Sequence, residues 1–121
     1  MEMVVELKSD VRIVRIKEAK LTYPVLSSFL SEVRQMVEEG SRKLLIDLRP
    51  VTYVDSASIG CLMDIRRLLD ERGGRLKLSS LQPRVETMIS MTGVSKIVEV
   101  HPDEDSALAS FGVARKGKDH A

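Results

Sequence analysis

Lys43-Leu44-Leu45-Ile46-Asp47-Leu48-Arg49-Pro50-Val51-Thr52-Tyr53-Val54-Asp55-Ser56-Ala57-Ser58-Ile59-Gly60 is the stretch that decides the fold. Its first six residues form a nearly unbroken apolar run, the mark of a central strand covered on both faces. After Val54 the spacing of apolar side chains changes to three and four, from Ile59 to Leu69, which predicts a helix. The strand-like run therefore gives way to a helix at Asp55 and Ser56. Two hydroxyls and a carboxylate then stand where the first backbone N–H groups lack intrahelical partners and the macrodipole favours negative charge.

Working outward, Val4–Leu7 and Val11–Ile16 are β-branched runs separated by Lys8-Ser9-Asp10, which predicts a hairpin. Tyr23-Pro24 marks a helix start with Pro24 at the first helical position, and Leu26, Phe29, Leu30, Val33 and Val37 share one face of that helix. Gly40 stops it. The second helix is expected over Ser56 to Arg72, with Ile59, Leu62, Met63, Leu68 and Leu69 inward. Asp64, Arg66, Arg67, Asp70 and Glu71 form its solvated face, on which Arg66 with Asp70 and Arg67 with Glu71 are i,i+4 pairs. Gly73-Gly74 is a turn into the alternating strand Arg75–Leu78. Pro83 opens a helix carrying Val85, Met88 and Ile89, which Gly93 closes. Lys96–Val100 reads as a last strand, and Pro102, Asp103 and Asp105 introduce a helix with Ala107, Leu108 and Phe111 inward.

Once past the hairpin, strands and helices alternate strictly, so the fold class is α/β. A single domain with a mixed, largely parallel sheet of about five strands packed with about four helices is expected. The domain spans residues 1–112, with 113–121 as a mobile C-terminal tail. At 121 residues there is room for one core, and with two Phe and two Tyr that core is aliphatic.

Composition excludes more than it selects. With 19 Lys and Arg against 18 Asp and Glu the formal charge is +1, so no net field draws the chain to nucleic acid or an anionic membrane. The single cysteine, Cys61, cannot form an internal disulfide and fits a packed position in the second helix; a reducing cytoplasm suits it. No stretch approaches the roughly 18 consecutive apolar residues of a membrane span, and Met1–Asp10 lacks the basic and apolar regions of a signal peptide.

Chemistry is scarce. His101 and His120 are the only histidines, one beside a predicted helix cap and one in the tail, so neither a metal cluster nor a nucleophilic triad is expected, and the protein reads as a non-enzyme without a cofactor. Asp47, with no nominated base or metal partner, reads as a structural hydrogen-bond acceptor. Asp55 and Ser56 admit a plain reading too, since both residue types cap helices for stability alone, at about 1 kcal/mol.

Leu44–Leu48, a short loop, Val51–Val54 and then Asp55-Ser56-Ala57-Ser58-Ile59-Gly60 resemble the signature of STAS domains, whose small stand-alone members include bacterial anti-sigma factor antagonists. Element order, the Gly73-Gly74 turn, the Pro83 helix and the Ala107-Leu108 helix extend the likeness over nearly the whole chain. The resemblance implies a binding module switched by phosphorylation of the serine directly after the motif aspartate, here Ser56. It implies as partners an anti-sigma factor with serine kinase activity and a phosphatase for reset, in the cytoplasm. Ser58, where the family usually has glycine, is the alternative acceptor. Partner contact is implied for Asp55, Ser56 and Ser58, and for Leu21 and Thr22 in a segment, Lys17–Tyr23, without the family's usual Gly and Asp. Two rival readings remain: a constitutive STAS-type scaffold or accessory subunit of a signalling or transport assembly, and a nucleotide-binding domain, which a missing glycine-rich loop and P-loop lysine disfavour.

Overall fold

Ser9, at φ 56°, turns the chain in the left-handed region between β1 (Met3–Lys8) and β2 (Val11–Ile16), and the two strands pair antiparallel as the hairpin predicted. The structure is a computed structural model and describes residues 1–113. Of the expected tail, all beyond Val113 lies outside the described residues, as does His120. After β2 come β3 (Lys20–Leu21), α1 (Tyr23–Glu38), β4 (Lys43–Asp47), β5 (Tyr53–Val54), α2 (Ser56–Asp70) and β6 (Arg75–Ser79). The chain continues with α3 (Pro83–Met91), a short 3₁₀ turn (Val94–Lys96), β7 (Glu99–His101) and α4 (Glu104–Ser110).

The main sheet has the order β1-β2-β4-β6-β7, and every pairing except β1 with β2 is parallel. Both faces are covered, which is why Leu44, Leu45 and Ile46 in β4 are all apolar and all buried. On one face Val14, Ile16, Leu44, Ile46, Leu76 and Leu78 meet Phe29, Val33, Leu62, Ile65, Leu69, Val85 and Ile89 from α1, α2 and α3. On the other, Val11, Ile13 and Leu45 pack under Ala107, Leu108 and Phe111. Lys77, nearly buried on that second face, is retained because its ammonium donates to the Ser110 carbonyl and hydroxyl (3.2 and 2.8 Å) and lies 4.4 Å from the Phe111 ring centre.

Several expectations change in detail. Beyond the five-stranded sheet, β3 and β5 form a separate two-stranded parallel piece, Lys20 opposite Tyr53 and Leu21 opposite Val54. The last strand begins at Glu99 and not at Lys96. The amides of Lys96, Ile97 and Val98 are already donated to Gly93 and Val94 carbonyls in the 3₁₀ turn, so they cannot join the ladder. Helix α2 ends at Asp70, two residues early, and the chain then turns so closely that a Cβ on Gly74 would lie 2.5 Å from the Arg42 carbonyl oxygen. Met63 is half-buried, while Cys61 and Ile65 complete the inward face. Burial pushes the Cys61 thiol up to about 11, with Asp64 adding to the effect, so it packs as an inert small hydrophobe. Arg66 pairs with Asp70 as expected (3.2 Å), but Arg67 pairs with Asp64 (3.0 Å) in place of Glu71. No described helix is long and apolar enough to cross a membrane.

Candidate functional site

The extended backbone of Asp55 (φ −108°, ψ 177°) ends β5 and turns its carboxylate onto the start of α2. Oδ1 accepts from the Ser58 amide (2.8 Å), and the Ser58 hydroxyl in return accepts from the Asp55 amide (2.9 Å) while donating to the Asp55 carbonyl (2.7 Å). This is a reciprocal capping box, with serine in the place glutamate or glutamine usually takes. Asp55 Oδ2 accepts from the Tyr23 amide (2.9 Å), the first of α1. Thr22, the residue before that helix, supplies no side-chain cap, so one carboxylate serves two helix starts. Hydrogen bonds from the Ser58 and Tyr23 amides hold the Asp55 carboxyl below the usual carboxylate range, against a small opposing effect of burial.

Ser56, the first residue of α2, is exposed, and among the described residues its hydroxyl makes no hydrogen bond. The first turn of α2 carries no acidic side chain. On one side of Ser56 lies a hollow of about 410 Å³ lined by Tyr53, Val54, Asp55, Arg84 and Met88 as well as Ser56 itself. Beyond Ala57 a shallower, more apolar groove of about 280 Å³ runs between α1 and α2, lined by Tyr23, Leu26, Leu30, Gly60 and Cys61 among others. A larger hollow, about 500 Å³, lies along α3 from Leu81 to Met91 and gathers no set of reactive groups.

The expected site residues separate here. Asp55 and Ser56 sit together at a helix start, as read. Ser58 is fully buried and its hydroxyl is occupied in the capping box, so it presents no acceptor to an enzyme. Leu21 is likewise fully buried, with no side-chain surface for a partner. The segment around it does reach the site, because β3 pairs with β5 and the Thr52 amide bonds the Ala19 carbonyl (2.8 Å). The surface there belongs to half-buried Thr22 and to Tyr23, which is 74% exposed. Arg84 and Met88 come from α3 and carry no local signal that places them beside Ser56; only the packing of α3 against β5 does so. Asp47 accepts from the Arg49 amide (2.8 Å), the structural role expected of it, and His101 pairs with Glu99 (3.1 Å). Among the described residues no group of His, Cys, Asp and Glu has the arrangement of a metal site.

This geometry can be set beside known proteins. The chain is 23% identical to the anti-sigma F factor antagonist of Paenibacillus polymyxa over 86 residues, covering 67% of this chain and 74% of that one. It is 31% identical to the anti-sigma-B factor antagonist of Bacillus subtilis over 65 residues, 54% and 59% of the two chains. The crystal structure of an anti-sigma factor antagonist from Mycobacterium paratuberculosis superimposes with a TM-score of 0.81 at 21% identity, covering 90% of this chain and 92% of that one. A family model for the STAS domain matches residues 2–107, from the β1 edge through the first turn of α4, and the chain belongs to the STAS domain family.

Proposed function

We propose that this STAS domain is a non-catalytic binding module of the anti-sigma factor antagonist type, switched by phosphorylation of Ser56. Its partner is an anti-sigma factor with serine kinase activity that docks over the start of α2 and the groove toward α1, and a phosphatase resets it, in the cytoplasm. The names of the relatives support the class of partner. The observation that carries the switch is the division of labour at α2. Asp55 and Ser58 complete the cap between them, which leaves the Ser56 hydroxyl exposed and without structural work.

Phosphorylation would add about −1.5 to −2 charges and three strong acceptors at the first position of a 15-residue helix. The domain itself tolerates that group, because the unpaired N–H groups and the macrodipole face it. A partner packed on the same surface would have to desolvate a dianion beside Asp55. A penalty of about 2.7 kcal/mol already weakens binding a hundredfold.

The test is phosphate incorporation with labelled ATP in the presence of the partner kinase, captured from native lysate and identified by mass. Ser56→Ala abolishes labelling and Ser58→Ala retains it; persistent labelling of Ser56→Ala would reverse the assignment. A constitutive scaffold, in which Ser56 is only a capping residue, predicts instead that Ser56→Asp leaves partner affinity unchanged, since aspartate caps as well as serine.

A further inference from the structure

The two edges of the main sheet are not alike. β7 is three residues long, and its charged Glu99 is tied to Lys77 (3.3 Å) and His101 (3.1 Å), the short and polar edge that resists pairing. β1 is six residues, Met-Val-Val-Glu-Leu-Lys, with Val4 46%, Val5 38% and Leu7 55% exposed. The Lys17 amide donates to the Glu2 carbonyl (3.0 Å), which fixes the phase of the ladder: Glu2, Val4, Glu6 and Lys8 turn their backbone groups toward β2. Met3, Val5 and Leu7 therefore turn theirs outward, and among the described residues no strand pairs with them.

The geometry points to a second copy of this chain as the occupant of that edge, through antiparallel pairing of β1 with β1 about a two-fold axis at Val5. A continuous sheet built by such an axis keeps like faces together, so each residue meets one of the same parity. Centring on Val5 places Met3 opposite Leu7 of the second copy and Val5 opposite Val5. These are the residues with outward-facing N–H and C=O groups, so each forms a hydrogen-bonded pair. Their side chains lie on the face that carries Val14 and Ile16, beside the core layer of α1 and α2, with Arg12 opposite Leu7 at its outer end. On the opposite face Val4 meets Glu6, and Glu2 meets Lys8, an ion pair of opposite sign; Lys8 already bonds Glu104 but is 41% exposed, with donors to spare.

The neighbouring registers fail on charge. Centring on Val4 sets Glu2 against Glu6 at both ends, and centring on Glu6 sets that carboxylate against itself. Like charges directly opposite destabilise a strand pair, so the sequence of β1 selects one register out of three. The contact is a strand edge without a deep apolar core, so the dimer belongs to the weak class, with a dissociation constant on the order of 10⁻⁴ M.

Sedimentation of the full chain from about 10 µM to about 1 mM should show its mass rising from 13.5 kDa toward twice that value. Val5→Pro removes the central outward N–H without touching the ladder to β2, and Val5→Lys sets two like charges opposite each other. Each should weaken association at least about tenfold while circular dichroism and melting stay those of a folded domain. Register is read by cross-linking. Val5→Cys should give a disulfide-linked dimer on oxidation, since Cα atoms of a hydrogen-bonded pair lie about 5.5 Å apart, within disulfide reach. Val4→Cys should not, and buried Cys61 does not compete. A chain that stays monomeric throughout, folded Val5 variants that associate as tightly as the parent, or equal cross-linking of Val4→Cys would each overturn the pairing. So would a chain that associates only after residues 114–121 are removed, which would make that segment the occupant.

Discussion

Helices α2 and α4 begin with the same local chemistry and serve opposite ends. Each has an aspartate at the N-cap whose carboxylate accepts from the amide of a serine three residues on, Asp55 from Ser58 (2.8 Å) and Asp103 from Ser106 (2.7 Å). They differ at the first helical position. In α4 that position is Glu104, a permanent negative charge, and its carboxylate takes hydrogen bonds from Arg15 (3.1 and 3.0 Å) and Lys8 (3.0 Å) that tie the helix to β1 and β2. In α2 it is Ser56, a neutral hydroxyl with Arg84 across the adjoining hollow. A position that suits an anion is filled by the sequence in one helix and, on the proposed reading, left to a reversible modification in the other.

The sharpest way to break this comparison is to make α2 resemble α4. Ser56→Asp, or phosphorylation of Ser56, should lower affinity for the proposed kinase partner about a hundredfold or more by calorimetry, with little change in domain stability. An unchanged affinity would remove the switch and leave a scaffold.

The converse change empties the α4 position. Glu104→Gln should cost about 2 kcal/mol in urea unfolding, because Arg15 and Lys8 lose a charged acceptor whose side chain is only 15% exposed. Its pH dependence has a definite sign. Burial pushes the Glu104 carboxyl up, but the bonds and charges of Lys8 and Arg15 outweigh it and hold the carboxyl below its ordinary value. A depressed folded value means that its contribution is present above the unfolded pKa of about 4.3 and is lost as pH falls through the folded value. Stability measured from pH 6 down to pH 3 should therefore fall more for the parent than for Glu104→Gln. The same sign holds for Asp55.

Asp55→Ala should lower the melting temperature by several degrees, because Asp55 caps α2 and also satisfies the Tyr23 amide of α1. The smallest effects separate the two serines. Ser58→Ala should cost about 1 kcal/mol by leaving the Asp55 amide unpaired, whereas Ser56→Ala should stay within about 0.5 kcal/mol of the parent. Equal costs at the two positions would mean that Ser56 shares in the cap.

Much of this is legible in the sequence. The apolar run at Leu44–Ile46, the three-and-four spacing in α1 and α2 and the glycine stops are local signals, and each marks an element where it was expected. The 3₁₀ turn before β7 was not legible, since Lys96–Val100 has a strand-like composition and loses its first residues to hydrogen bonds within the preceding turn. Nor was the β3–β5 pairing, because two-residue strands carry no periodicity. At the site, the sequence placed Asp55 and Ser56 at a helix start, but only the family resemblance, and not the local pattern, put Ser56 ahead of Ser58. Ser56 and Ser58 are both small hydroxyl residues in a first turn, and which one faces solvent depends on what packs above it.

By itself, then, the chain's order of residues determined the α/β alternation, the covered central strand and an anion-favouring helix start, all consequences of periodicity and of the partners a backbone lacks at a helix end. Only tertiary structure decided that Asp55 caps two helices, that Ser58 and Leu21 are sequestered, and that Arg84 adjoins Ser56. Those facts depend on elements distant in sequence meeting across the sheet, and contact at a distance leaves no mark on local pattern.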